Sequence, residues 1–219
     1  MIAALSADTM ARAALRLPPA LPGQRIALFG GSFDPPHQGH LLVSRMAIGR
    51  LGLDAVWWLV TPGNPLKDHA PGGLARRIAA AKAMAADPRI AVTAVEAALP
   101  SRYTADTLAL IAARLPGVDL VWLMGADNLS QFHRWRHWRR IAALMPIAVY
   151  DRPGSTLSAI ASPAAKALAP FRIDEAKART LPGHRTPAWT FLHGPRADLS
   201  STALRAVATK ETRRDQAKS

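Results

Sequence analysis

The chain of 219 residues contains no cysteine. That absence removes disulfides, thiolate nucleophiles, Cys-ligated zinc and iron–sulfur clusters together. Long apolar runs are missing too: none approaches the roughly 20 residues that cross a bilayer, so no membrane association is expected. Acidic residues are scarce, with 15 Asp and Glu against 28 Lys and Arg and a net charge of +13. Such a balance favours anionic partners, whether nucleic acid, nucleotides, phosphorylated metabolites or an acidic surface, without choosing among them. The Lys-containing Walker A pattern for triphosphates is also absent.

What is present is material for a core. A hydrophobic share of 49% rules out a mainly disordered chain, and the length suits one α/β domain. Residues 1–24 are rich in Ala and Arg with Asp8 as their one acid, and superficially resemble a transit peptide. They lack a basic region followed by an apolar core, and are read as a flexible extension. The folded body is expected over 25–209, with a flexible polar tail at 210–219. A cytoplasmic location fits the missing cysteines and the missing secretory signal.

Along the body, short apolar runs alternate with segments of helical period. Strands are expected at Ile26–Phe29, Asp54–Val60, Ile90–Val95, Val118–Met124, Pro146–Tyr150 and Ala188–His193. Helices are expected at Gly39–Arg50, Leu74–Ala86, Thr104–Arg114 and Ser200–Thr209. Residues 152–187 show no clear period. Strand and helix in turn, at this spacing, predict a single-domain α/β fold with a Rossmann-like doubly wound parallel sheet. Ligands of such sheets bind where loops leave the strands, and the distinctive loops here all follow strands.

The richest of them is Gly30-Gly31-Ser32-Phe33-Asp34-Pro35-Pro36-His37-Gln38-Gly39-His40. Its glycines would let the backbone approach a ligand and take conformations closed to other residues. A helix beginning near Gly39 would turn free N–H groups and its positive dipole end toward the loop. His37 and His40 flank that point and can donate to phosphate oxygens. A metal site of Asp34, His37 and His40 is permitted by the spacing, but no further ligand cluster completes it. The G-x-G-x-x-G spacing of a dinucleotide fingerprint is not met.

The segment GGSFDPPHQGH resembles the GGSFDPxHxGH signature of the HxGH nucleotidyltransferases, and within them the nicotinate-nucleotide adenylyltransferases. Four later segments are similar to the same family in the same order. They are Asn64-Pro65-Leu66-Lys67, Ser101–Leu108 (SRYTADTL), Met124–Leu129 (MGADNL) with Phe132 and Trp135, and Leu199–Arg205 (LSSTALR). Together they span about residues 25–209. The departures are minor: Leu199 and Leu204 replace Ile, and His133 stands where proline is common.

The resemblance implies transfer of AMP from ATP to nicotinate mononucleotide by direct in-line attack, with release of pyrophosphate and formation of deamido-NAD. It implies that His37 and His40 act on the ATP phosphates as catalytic residues. Gly30, Gly31, Ser32 and Phe33 would bind ATP from one side, and Ser200, Ser201, Thr202 and Arg205 from the other. Lys67, Tyr103, Thr104, Asp127 and Trp135 would bind the mononucleotide. Mg²⁺ would bridge the phosphate oxygens, held mainly by ATP and not by protein ligands. Nicotinamide mononucleotide or another phosphorylated acceptor is the alternative; the segments at Asn64–Lys67 and Tyr103–Thr104 argue against phosphopantetheine.

A rival reading comes from Arg134-Trp135-Arg136-His137-Trp138-Arg139-Arg140, where basic residues alternate with tryptophans as in single-stranded nucleic-acid binders. Read as a helix, the same stretch places Trp138, Ile141 and Ala142 on one face and arginines on the others. That is the pattern of a core-facing helix with a solvated basic side, so nucleic acid is not favoured as a partner.

Overall fold

The computed structural model of the chain describes residues 15–63, 71–151 and 156–194. Six strands form one sheet: β1 (Arg25–Gly31), β2 (Ala55–Val60), β3 (Ile90–Thr93), β4 (Asp119–Gly125), β5 (Ile147–Tyr150) and β6 (Trp189–Leu192). Their spatial order is β3-β2-β1-β4-β5-β6, and every pairing is parallel. The chain therefore walks outward from β1 in one direction, returns to the centre at β4, and walks outward in the other. This is the doubly wound sheet expected from the alternation of strands and helices.

Successive residues of each strand face opposite layers. Ile26, Leu28, Trp57, Leu59, Leu120, Trp122 and Met124 share one apolar layer with α3 (Thr104–Arg114), α4 (Ala126–Gln131) and α5 (Trp138–Leu144). Ala27, Phe29, Val56, Trp58, Val121 and Leu123 share the other with α1 (Gln38–Leu51) and α2 (Leu74–Met84). Strands covered on both faces must be apolar on both, which is why they appear in the sequence as unbroken runs and not as alternation.

Local chemistry sets the ends. α1 stops at Gly52, whose left-handed backbone (φ 64°) returns its N–H to the Ile48 carbonyl. β3 ends at Thr93, two residues earlier than expected, because the Thr93 hydroxyl accepts from the Val95 N–H and the chain turns into a 3₁₀ segment, Val95–Ala98. The aperiodic stretch after β5 contains helices too short to show a period, α6 (Thr156–Ile160) and α7 (Pro163–Ala167), followed by two short 3₁₀ segments.

Residues 15–24, expected to be part of a flexible extension, run against the domain. Leu15, Leu17 and Ala20 pack on the apolar layers, the Thr93 hydroxyl donates to the Arg16 carbonyl at 2.8 Å, and Gly23 N–H donates to the Gly117 carbonyl. Their apolar side chains, diluted by basic neighbours in the sequence, supply the contact. The expected helix Ser200–Thr209 and the tail lie outside the described residues, as do residues 1–14.

Candidate active site

The crevice of a doubly wound sheet opens where strand order reverses, here between the C-terminal ends of β1 and β4. The loop after β1 and the first turn of α4 flank it. His37 is the N-cap of α1 and His40 lies in its first turn, so both imidazoles stand where the helix's unpaired N–H groups and dipole end gather. Their ring centroids are 3.9 Å apart, and both residues are buried. The His37 N–H donates to Nδ1 of His40 at 3.1 Å. With Nδ1 accepting, the ring proton of His40 sits on Nε2, which fixes the tautomer.

An aromatic floor holds His40. Its ring lies 4.7 Å from Phe33, 5.8 Å from Trp58 and 5.9 Å from Phe29. Phe33 in turn stacks on Trp58 at 4.9 Å. Trp58 donates its indole N–H to the Ser44 hydroxyl at 2.8 Å, and Ser44 donates to the His40 carbonyl at 2.8 Å. Nothing in the sequence singled out Ser44 or Trp58; together they lock α1 to β2 directly beneath the histidines.

The glycines do not take the unusual backbone conformations expected of them; what requires glycine here is steric. Neither Gly30 nor Gly31 has a positive φ. A Cβ on Gly30 would lie 2.5 Å from Cη2 of Trp122, so glycine is required there by a tryptophan on β4. A Cβ on Gly31 would come within 3.1 Å of the Phe33 ring. The left-handed residue of the loop is Phe33 itself (φ 47°), an uncommon conformation for a bulky residue and one that stores about 1–3 kcal/mol of strain. Its ring is buried, so Phe33 can meet a nucleotide only through its backbone.

Two residues brace this loop: Asp34, weighed in the sequence only as a metal ligand, and Arg77, not singled out there. Asp34 accepts from the Gly72 N–H at 2.8 Å and from Arg76 at 3.1 Å, tying the loop to the start of α2. Arg77, 2% exposed, donates to the carbonyls of Ser32, Thr61, Pro62 and Gly72. Burial lowers its pKa from the usual range, and the nearby Asp34 charge opposes that shift. A signal existed: Leu74, Arg77, Ile78 and Ala81 follow the inward stripe of a helix, and an arginine on that stripe needs buried partners.

On the other side of the crevice, Tyr103 is the N-cap of α3 and Thr104 its first residue, both half-buried. Half-buried Trp135 meets Phe132 at 5.5 Å and Trp122 at 6.3 Å, edge to face in both cases. The guanidinium of the next residue, Arg136, lies 4.5 Å over the Tyr103 ring, and Arg140 pairs with Asp106 at 3.3 Å. Trp135 and Tyr103 are thus brought to one wall. Asp127 sits in the first turn of α4, immediately beyond β4. Below that wall is a buried carboxyl, Glu96, which accepts from the Thr107 hydroxyl at 3.3 Å; burial pushes its pKa up to about 7, and the Thr107 hydrogen bond opposes the shift.

Lys67, Ser200, Ser201, Thr202 and Arg205 lie outside the described residues. Burial in the basic, Trp-rich stretch follows the expected pattern, with Trp138, Ile141 and Ala142 buried and Arg134, Arg136, Arg139 and Arg140 exposed. The helix, however, covers only Trp138–Leu144: Arg134 ends a 3₁₀ turn and His137 is left-handed (φ 57°). Trp138 lies in the core, with Arg139 laid over its ring at 4.4 Å, while Trp135 stays half-buried.

Fold and crevice define a nucleotidyltransferase of the cytidylyltransferase-like class, whose family model matches residues 28–207. A protein of Methylorubrum extorquens (strain PA1), described as a "probable nicotinate-nucleotide adenylyltransferase", is 62% identical over 184 residues, 83% of this chain and 98% of that one. A protein of the same description from Rhizobium meliloti (strain 1021) is 59% identical over 185 residues, 83% and 97% of the two chains. The chain belongs to the nicotinate-nucleotide adenylyltransferase family. Its fold also matches that of the Plasmodium falciparum nicotinic acid mononucleotide adenylyltransferase, solved in complex with NaAD. There the TM-score is 0.62 at 17% identity, over 84% of this chain and 83% of that one.

Proposed function

We infer that this protein transfers the adenylyl group of ATP to the 5′-phosphate of nicotinate mononucleotide, giving deamido-NAD and pyrophosphate for NAD biosynthesis. The observation that carries the reading is the histidine pair at the head of α1, set in the crevice between β1 and β4. An acceptor phosphate oxygen attacks the α-phosphorus in line, the bond to the bridging oxygen breaks, and pyrophosphate leaves. Such chemistry needs positioning and charge stabilisation, with no protein nucleophile.

His40, with its N–H on Nε2, donates to an oxygen of the α-phosphate as charge develops there. His37 acts beside it on the same phosphates. Backbone N–H groups of Gly30, Gly31, Ser32 and Phe33 cradle ATP from below, and Ser200, Ser201, Thr202 and Arg205 hold it from above. Tyr103, Thr104 and Trp135 form the nicotinate pocket, Trp135 stacking on the pyridine ring. Asp127 takes a ribose hydroxyl, and Lys67 a phosphate.

Adenylyl transfer from ATP ordinarily uses a divalent cation to offset phosphate charge, and we assign Mg²⁺ to that place. Among the described residues no three His, Cys, Asp or Glu side chains converge, and Asp34 is engaged by Gly72 and Arg76. This donor set fits an ion that arrives on the ATP phosphates better than one caged by protein. Among the same residues no helix is long and apolar enough to cross a membrane.

The test is pyrophosphate release from Mg·ATP by the purified protein with nicotinate mononucleotide, nicotinamide mononucleotide or no acceptor. Rapid release with the nicotinate form alone is expected. Equal rates with the amide would reassign the acceptor, and silence with both, in folded protein, would overturn the reading.

A further inference from the structure

The phosphate loop is shaped from behind by a residue of another element. Arg77 on α2 places Nη1 at 2.7 Å from the Ser32 carbonyl and 2.8 Å from that of Thr61. Its Nε reaches the Gly72 carbonyl at 2.7 Å, and Nη2 the Pro62 carbonyl at 3.3 Å. One planar fork thus gathers the ends of β1 and β2 and the start of α2. The neighbouring peptide is held in the same sense, because the Thr61 N–H donates to the Gly31 carbonyl at 3.0 Å.

These carbonyl bonds determine where the following N–H groups point. The peptides after Gly31 and Ser32 are trans; among the described residues the cis bonds are at Asp34-Pro35 and Thr186-Pro187. In a planar trans peptide the C=O of one residue and the N–H of the next are antiparallel. Two carbonyls drawn back toward β2 therefore turn the N–H groups of Ser32 and Phe33 the other way, into the crevice. Phe33 is fixed on its far side as well, by its left-handed backbone and by a ring buried between His40 and Trp58. Successive N–H groups held outward in a tight turn form an anion-binding concavity.

We propose that Arg77 is a positioning residue for ATP: by holding the Ser32 carbonyl it presents the Phe33 N–H, and with it the Ser32 N–H, to a nucleotide phosphate. The assignment rests on the loop being the ATP site, as inferred above. Lysine cannot replace it, because a single ammonium cannot span four carbonyls in one plane. The effect is expected to fall mainly on ATP, because the residues assigned to the nicotinate ring lie on the opposite layer of the sheet, on and beside α3.

The test compares the full chain with Arg77→Lys and Arg77→Ala by steady-state kinetics in each substrate, with thermal melts alongside. For Arg77→Lys, KM for ATP is expected to rise about tenfold or more, the cost of misplacing a hydrogen bond to a charged group. KM for the mononucleotide should change less than about twofold. Millimolar guanidinium, but not methylammonium, should restore part of the ATP-dependent rate of Arg77→Ala. A lowered Tm with unchanged KM for ATP in Arg77→Lys would make Arg77 purely structural and overturn the proposal. Equal rises in both KM values would overturn it too; if Arg77→Ala does not fold, Arg77→Lys decides. Failure of the parent to turn over ATP would instead sink the functional reading.

Discussion

Glu96 to Gln is the substitution whose outcome can be worked furthest from the structure. The carboxyl lies in the 3₁₀ turn after β3, 6% exposed, under the helix that begins with Tyr103 and Thr104. Burial raises its pKa from 4.5 to about 7. Because the folded protein holds this proton more tightly than the unfolded chain, stability falls as pH rises from 4.5 through 7 and is flat beyond. A shift of that size corresponds to about 3 kcal/mol, of which roughly 2 to 3 kcal/mol falls between pH 5 and pH 8. Glutamine keeps an acceptor for Thr107 and has no charge to bury. Glu96→Gln should therefore match the parent near pH 5 and exceed it by roughly 2 to 3 kcal/mol at pH 8. At about 2–4 °C per kcal/mol for a chain of this size, the gain in Tm is on the order of 5–10 °C. The assay is a set of thermal melts or urea titrations of both proteins from pH 5 to pH 8. A constant difference across that range would refute the reasoning, since it would mean that Glu96 titrates alike folded and unfolded.

Three further outcomes are expected. His40→Asn keeps a side-chain acceptor for the His37 N–H but loses the Nε2 donor, so circular dichroism should be unchanged while kcat falls by a factor of about 100 or more; near-normal turnover would remove His40 from the chemistry. Trp135→Ala should raise KM for the mononucleotide by roughly tenfold and leave KM for ATP nearly unchanged; equal effects on both would move Trp135 out of the acceptor pocket. Gly30→Ala should cost about 1–3 kcal/mol through overpacking against Trp122, seen as a lower Tm; an unaltered melt would mean that the tryptophan yields freely.

The sheet was legible because strands buried on both faces are uninterrupted apolar runs, and the head of α1 because two prolines and a glycine punctuate it. The pairing of the histidines was legible too: two of them in one strand-to-helix loop, three residues apart, come to lie ring against ring. Reasons were harder to read than positions. Gly30 looked like a phosphate-side glycine, and its steric constraint comes instead from Trp122, far along the chain and visible only once β1 and β4 are paired. Arg77 lay in plain view on an inward stripe, but its four carbonyl partners sit in two connections, after β1 and between β2 and α2. Glu96 carries no local signal at all; its burial is created by α3 packing over the turn.

The long reach of Arg77 bears on the order in which the molecule comes together. The bond from Arg77 to the Ser32 carbonyl joins residues 45 positions apart, and that from Arg76 to Asp34 joins residues 42 apart. Contacts of such separation form only after the intervening chain has been closed into a loop, at an entropic cost that local turns do not bear. A nascent or refolding chain that has formed β1 and α1 already holds both histidines, but it does not yet hold the loop in its final shape. That shape comes with β2 and the docking of α2; under the role proposed for Arg77, affinity for nucleotide phosphate is then a late property of folding, and ATP present during refolding would favour the chain with β2 and α2 in place over one with β1 and α1 alone.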